Sequence, residues 1–363
     1  MLSKISASAF IIFLFAFALK AQTPTPTPLN DDEPERVFSE EIKLNVAAYD
    51  LDGNFVGDVV KEDLVISEDD RLNQATSLRR IPANVLLVLD TGGEIRDAKR
   101  LSDTVAAAKN IINALQKDDF VAVMDYNDKV EIVAEWTNKD EAIRLLEAKT
   151  NIGRRSVFND ALAAATDFLR QTTRDNRHLI LITDGTDTAD DAAARNAVTQ
   201  KLLATDINVH VISYAQMELT AMASRSKTVS KKQPKQALPD EVKATLPNGI
   251  RDTATTPKSR TITTDVKLLE VLRARKNALT IGEKYLTQLS KDTNGYLLTP
   301  ESNEEMLEKA ANVAGIIDSS YVLTYIPKRP LSESKAGEIR RIEVTSRRPN
   351  LRVQASRKLV VNK

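Results

Sequence analysis

Three apolar runs constrain this chain more than anything else in it: Val85-Leu86-Leu87-Val88-Leu89, Leu179-Ile180-Leu181-Ile182-Thr183 and Val209-His210-Val211-Ile212-Ser213. A strand that is apolar at every position has no face for water, so it needs cover on both sides, which is the condition of a parallel sheet. The segments between and around them supply that cover. Ile95–Leu115, Val157–Leu169, Asp190–Leu203 and Val266–Leu289 carry helical periodicity, and Phe120–Met124 and Val130–Ala134 read as further strands. Strand and helix in that rhythm predict an α/β fold, a doubly wound and mainly parallel sheet, over residues 84–318. Ligands of such sheets sit at the carboxyl ends of the strands.

The ends of the chain read differently. Residues 37–80 alternate apolar and polar positions from Val37 through Ile42, Leu44, Val46 and Ala48. Asp52-Gly53 marks a tight turn there and more short extended runs follow, as in a small β module. Residues 319–363 give three more strand-like runs, Tyr321–Ile326, Ile339–Ser346 and Leu351–Val361. Neither end has enough strands for an independent core, so the two are expected to pair into one small β-sandwich flanking the middle.

Residues 1–21 have the layout of a signal peptide: Lys4, an apolar run from Ala7 to Leu19 that falls short of the ~20 residues a membrane span needs, and Ala21 before a polar stretch. Residues 22–36 hold a Thr-Pro repeat that reads as an extended linker. The expectation is an extracytoplasmic protein, secreted or held in the periplasm or cell envelope, with no membrane span after cleavage. Between 223 and 264 the periodicity stops, and nine basic residues stand against three acidic ones. This window is expected to be a flexible basic insertion, either a solvated loop or a contact surface for an anionic partner.

Composition closes several routes. Lys plus Arg and Asp plus Glu balance at 51 each, so no global field recruits nucleic acid. There is no cysteine, which removes disulfides, thiol nucleophiles and thiolate zinc sites, and the imidazoles number two, His178 and His210. His210, inside an apolar strand, reads as a satisfied core histidine. Neither a Gly-x-Ser-x-Gly elbow nor a Gly-x4-Gly-Lys-Ser/Thr loop is present. The chain is expected not to be an enzyme; a hydrolase of unknown type is the remote alternative.

Two of the buried runs end in an aspartate, Asp90 and Asp184. A carboxylate at the mouth of an apolar sheet is costly unless it is paired, hydrogen-bonded or placed on a cation. Asp187, Asp190 and Asp191 follow Asp184, a cluster whose ordinary work is to cap the next helix. In order and spacing, Leu89-Asp90-Thr91-Gly92-Gly93-Glu94, Asp118-Asp119-Phe120-Val121-Ala122-Val123, Ser156-Val157-Phe158-Asn159-Asp160-Ala161-Leu162 and Leu181-Ile182-Thr183-Asp184-Gly185-Thr186-Asp187 resemble the landmarks of a von Willebrand factor type A domain. With Asp52-Gly53-Asn54-Phe55-Val56, Lys61–Asp69, Tyr321–Pro327 and Leu351–Lys358, the chain is similar to a secreted subfamily related to that domain and first catalogued in Acidobacteria.

The resemblance implies an A-like domain that binds a protein partner, of unknown identity, through a metal ion-dependent adhesion site. Carried over by position, the metal residues are Asp90, Glu94, Ser156 and Asp184, with Mg²⁺ or Ca²⁺ as the candidate cofactor. The family's two serine places are Gly92 and Glu94 here, so the site is degenerate. If Glu94 points inward, three carboxylates need a cation; if outward, the pocket has lost two hydroxyl ligands and holds none. The readings are therefore an exported protein-binding (adhesion or envelope interaction) module and, as alternative, a structural or envelope-assembly protein whose A-like domain is a metal-free scaffold.

Overall fold

In the computed structural model, residues 40–92, 101–228, 245 and 266–362 are described, the ends of two helices (224–228 and 266–268) by their backbone alone. The signal peptide and linker expected at 1–36 lie outside the described residues, as do Glu94 and nearly all of the basic window.

The centre is a six-stranded sheet. In chain order its strands are β5 (Asn84–Asp90), β6 (Phe120–Tyr126), β7 (Val130–Thr137), β8 (Arg177–Thr183), β9 (Asn208–Ser213) and β10 (Leu297–Leu298), and they lie side by side as β10-β9-β8-β5-β6-β7. All neighbours are parallel except β6 and β7. The three apolar runs are β5, β8 and β9, buried along nearly their whole length. One face packs Val85, Leu87, Leu89, Val121, Val123, Ile180, Ile182 and Ile212 against helices α1 (Leu101–Ala114), α2 (Lys139–Lys149) and α7 (Asn303–Asp318). The other packs Leu86, Val88, Ala122, Leu179, Leu181, Val209 and Val211 against α3 (Phe158–Gln171), α4 (Ala192–Leu203) and α6 (Val266–Asp292). Helix α5 (Ala215–Thr228) follows β9 and meets α6 through Ala215, Met222, Leu272 and Leu279.

The ends form two four-stranded antiparallel sheets. β13 (Arg352–Gln354), β1 (Ile42–Tyr49), β11 (Ser320–Tyr325) and β4 (Ala75–Arg79) make one; β14 (Ser356–Val360), β12 (Ile339–Ser346), β2 (Leu64–Glu68) and β3 (Arg71–Asn73) make the other. Register pairs cross the sequence: Leu44 lies opposite Leu323, and Ile66 opposite Val344. Their inner faces share a core of Leu44, Val46, Ile66, Leu323, Tyr325, Ile342 and Val344, so the expected sandwich is built from both ends. Inside it Arg340, fully buried, pairs with Glu68 at 2.5 Å. The Arg340 guanidinium also donates to the carbonyls of Arg329 and Pro330, and Tyr325 donates to the second Glu68 oxygen at 3.1 Å. The turn at Asp52-Gly53 is held by the Asp50 carboxylate, which accepts the N–H groups of Asp52 and Asn54, with Gly53 at φ +87°.

Three readings of the sequence need correction. The window from 223 does not begin irregularly, because α5 continues to Thr228. Helices α2 and α7 escaped the periodicity reading. The run Leu351–Val361, which alternates as one strand would, breaks at Ala355 and serves both sheets of the sandwich. Alternation records which side chains face inward and is silent about which sheet they join.

Candidate functional site

β5 and β8 are neighbours, with Leu89 opposite Ile182, so Asp90 and Asp184 leave the same edge of the sheet. From β5 the chain winds outward through β6 and β7, then returns to β8 and winds the other way, which makes this edge the crevice where a doubly wound sheet takes ligands. Both carboxylates are buried, 1% and 2% exposed, so each must be satisfied within the protein.

Asp90 accepts the Gly92 N–H at 3.0 Å on one oxygen and the Tyr214 hydroxyl at 2.7 Å on the other, where Thr183 Oγ1 also lies at 3.4 Å. Tyr126 reaches the same Thr183 hydroxyl at 2.7 Å. Burial, and then the negative charge of Asp90, push both phenols well above their usual range, which keeps them protonated. Asp184 accepts the Thr186 N–H at 2.8 Å and its hydroxyl at 2.7 Å on one oxygen. The other oxygen receives Nη2 of Arg275 at 2.6 Å, and the same nitrogen reaches Glu218 at 2.6 Å. Nη1 of Arg275 donates to Thr186 Oγ1 at 2.8 Å. Burial works against the Arg275 charge, but Asp184 and Glu218 more than offset it, so its pKa is raised.

α6 delivers this arginine. Gly282 packs on the Asp184-Gly185 turn so closely that a Cβ there would lie 2.6 Å from the Asp184 carbonyl oxygen. That approach, two turns along the same helix from Arg275, seats the guanidinium on Asp184. Glu218, 3% exposed, arrives from α5.

The described residues do not fit a divalent cation. Asp184 is engaged at both oxygens by Thr186 and Arg275. Ser156 donates its hydroxyl to the Thr186 carbonyl at 3.2 Å, and its N–H goes to Thr188 Oγ1. Gly92 brings no side-chain oxygen, and a Cβ on it would fall 1.7 Å from the Arg155 carbonyl oxygen, so the backbone closes the place where a serine would stand. Among the described residues no group of three or more His, Asp or Glu side chains is arranged to hold a metal. Asp187 accepts the Asn159 N–H at 2.8 Å, and Asp191 caps α4 through the N–H groups of Ala193 and Ala194.

Sequence reasoning missed Arg275, Glu218 and Tyr214. The signal for Arg275 was present: Leu272, Arg275, Leu279, Gly282, Leu286 and Leu289 recur at spacings of three and four, so a cation and a glycine stand within the inward stripe of α6. The two histidines lie toward the opposite edge of the sheet, on β8 and β9, in contact with each other.

Residues 85–186 match the family model described as von Willebrand factor type A domain. No curated protein matches the chain. Among solved structures, the chain is similar to an aerotolerance-related membrane protein from Bacteroides fragilis, at 14% identity over 64% of this chain and 98% of that one, with a TM-score of 0.38. It is also similar to a von Willebrand factor type A protein from Catenulispora acidiphila (10% identity, 89% of this chain and 74% of that, TM-score 0.41). A third is the manganese-loaded TRAP protein of Plasmodium vivax (13%, 54% and 70%, TM-score 0.33).

Proposed function

With a von Willebrand factor type A domain over residues 85–186, we propose that the chain is an exported protein-binding module whose recognition does not depend on a metal ion. The observation that carries this reading is the Arg275 guanidinium held between Asp184 and Glu218 at 2.6 Å from each. At the edge where a related site would carry a divalent cation, the positive charge here is covalently part of the chain. A tethered cation cannot be chelated, and its Nη2 protons already serve two carboxylates, so a partner is held by the shape and polarity of the surrounding loops.

Isothermal calorimetry tests this on the full chain. Mg²⁺ is expected to bind no better than about millimolar, because Asp184 has no oxygen to spare. Arg275→Met should raise that affinity, since removing the guanidinium returns two buried carboxylates to the site. Tight stoichiometric Mg²⁺ binding by the natural sequence, lost on Asp184→Ala, would overturn the proposal.

A further inference from the structure

His178 and His210 meet at the joint between the six-stranded sheet and the sandwich. Their rings stack with centroids 5.2 Å apart, and His178 Nδ1 lies 3.0 Å from His210 Nε2. Around them three asparagines tie β1 to the sheet. Asn45 of β1 donates to Asn176 Oδ1 at 2.6 Å, Asn294 donates to the Asn45 carbonyl at 2.8 Å, and Asn294 accepts the Ser356 N–H at 3.0 Å.

The hydrogen bonds fix where each proton is. The Tyr296 N–H donates to His210 Nδ1, which puts the His210 proton on Nε2, facing His178 Nδ1. His178 Nε2 then faces Asn176 Oδ1 at 2.7 Å, an acceptor because the Asn176 Nδ2 goes to the Ile81 carbonyl at 2.8 Å. It also lies 3.0 Å from Asn45 Nδ2, which donates to the same Asn176 oxygen. His178 therefore carries its proton on Nε2, which leaves Nδ1 bare. His210 fills that lone pair by donating from Nε2, and its own bare Nδ1 accepts the Tyr296 N–H at 3.2 Å. The result is a directed chain, Tyr296 to His210 to His178 to Asn176, in which both rings are neutral and every ring nitrogen is used. An added proton has two places to go, His178 Nδ1 and His210 Nδ1, and each faces an N–H donor.

We propose that this pair is an acid-labile bolt: protonating either imidazole sets donor against donor, breaks the chain and opens the joint between β1 of the sandwich and the amino ends of β8 and β9. Burial acts in the same direction, holding His210 down at about 4 and His178 well below the usual histidine range, with the neighbouring ring adding to the latter. The charged groups nearby are committed elsewhere. Lys43 of β1 pairs with Asp175, and Arg177 of β8 with Asp206, each at 2.7 Å. Arg80 before β5 pairs with Asp318 of α7, and Arg357 of β14 donates to the carbonyls of Ile207 and Thr293. Among the described residues no carboxylate is hydrogen-bonded to either ring, so none stabilises the charged form. An exposed imidazole takes its proton near pH 6.5, and burial in the closed joint holds both rings below that, His210 down at about 4. The open form therefore gains as pH falls below about 6.5, by up to tenfold per pH unit for each ring.

Hydrogen–deuterium exchange of the full chain, corrected for the intrinsic pH dependence of amide exchange, reads the effect. Between about pH 7 and pH 5, peptides covering 42–49, 176–183 and 208–213 should lose protection by at least tenfold while 120–126 keep theirs. His210→Gln, which hydrogen-bonds but does not titrate, should reduce the difference to that of the remaining ring, and His178→Gln combined with it should abolish the difference. Equal acid opening in the double variant and in the natural chain overturns the proposal. Should the variant not fold, imidazole ¹⁵N shifts decide. Both rings should be Nε2–H tautomers at neutral pH and stay unprotonated to about pH 5; a ring that titrates near 6.5 with the joint still protected also overturns it.

Discussion

At the scale of single residues, the site is defined by what fills it. Gly92→Ser, which would restore the hydroxyl that the resemblance places there, is expected to fail, because the new Cβ would land 1.7 Å from the Arg155 carbonyl oxygen and one of two loops would have to move. The variant should lose about 2–3 kcal/mol of stability by denaturant melting and gain no Mg²⁺ affinity by calorimetry. The buried Arg340–Glu68 pair makes a second expectation. Glu68→Gln leaves a guanidinium without a carboxylate in the sandwich core and should cost about 3–5 kcal/mol, whereas replacing both partners by apolar residues should recover most of it in a double-mutant cycle. Asp90, Asp184 and Ser156 were legible from the sequence because each stands at a strand end or beside a helix start. Glu218 was not, and Arg275 showed only as a cation within the inward stripe of α6, because membership of a site formed across 91 positions of chain depends on packing that no local pattern encodes.

Among the elements, β5, β8 and β9 could be read from their predominantly apolar runs, since burial on both faces leaves composition little freedom. α2 and α5 could not. Of α2, the buried side chains are Ala142 and Leu146, and α5 merges into a basic stretch whose composition outweighs its few inward apolar positions. β12 lies between β14 and β2, and β13 pairs with β1, so the last strands complete both sheets of the sandwich. Deleting 339–363 should therefore strip β2 of most of its amide protection and weaken that of β1, which keeps β11 but loses β13 and the facing sheet, while leaving β5, β6 and β8 protected by hydrogen exchange. Full protection of 42–49 and 64–68 in that truncated chain would mean the N-terminal strands hold together without β12, β13 and β14.

For the whole molecule, acid acts on two groups in opposite senses. The histidine pair loses stability as pH falls below about 6.5. Asp125, buried on β6 beside Glu131, is raised to about 6, by burial first and the Glu131 charge after it, so it costs stability once pH rises through that value. Asp125→Asn should accordingly stabilise the protein at pH 8 by about 2 kcal/mol, by about half of that at pH 5 and hardly at all near pH 3, read as a pH-dependent shift in melting temperature. The interleaved ends of the chain have a consequence for its synthesis. Ile66 must wait for Val344, and Leu44 for Leu323, so neither sheet of the sandwich closes until more than 250 further residues have emerged, while β5 through β9 can pair within a far shorter length. Strand β12 thus acts as a checkpoint: a chain cut short before Ile339 presents the unpaired edge of β2 to chaperones and proteases, and a chain that extends through Ser346 hides it.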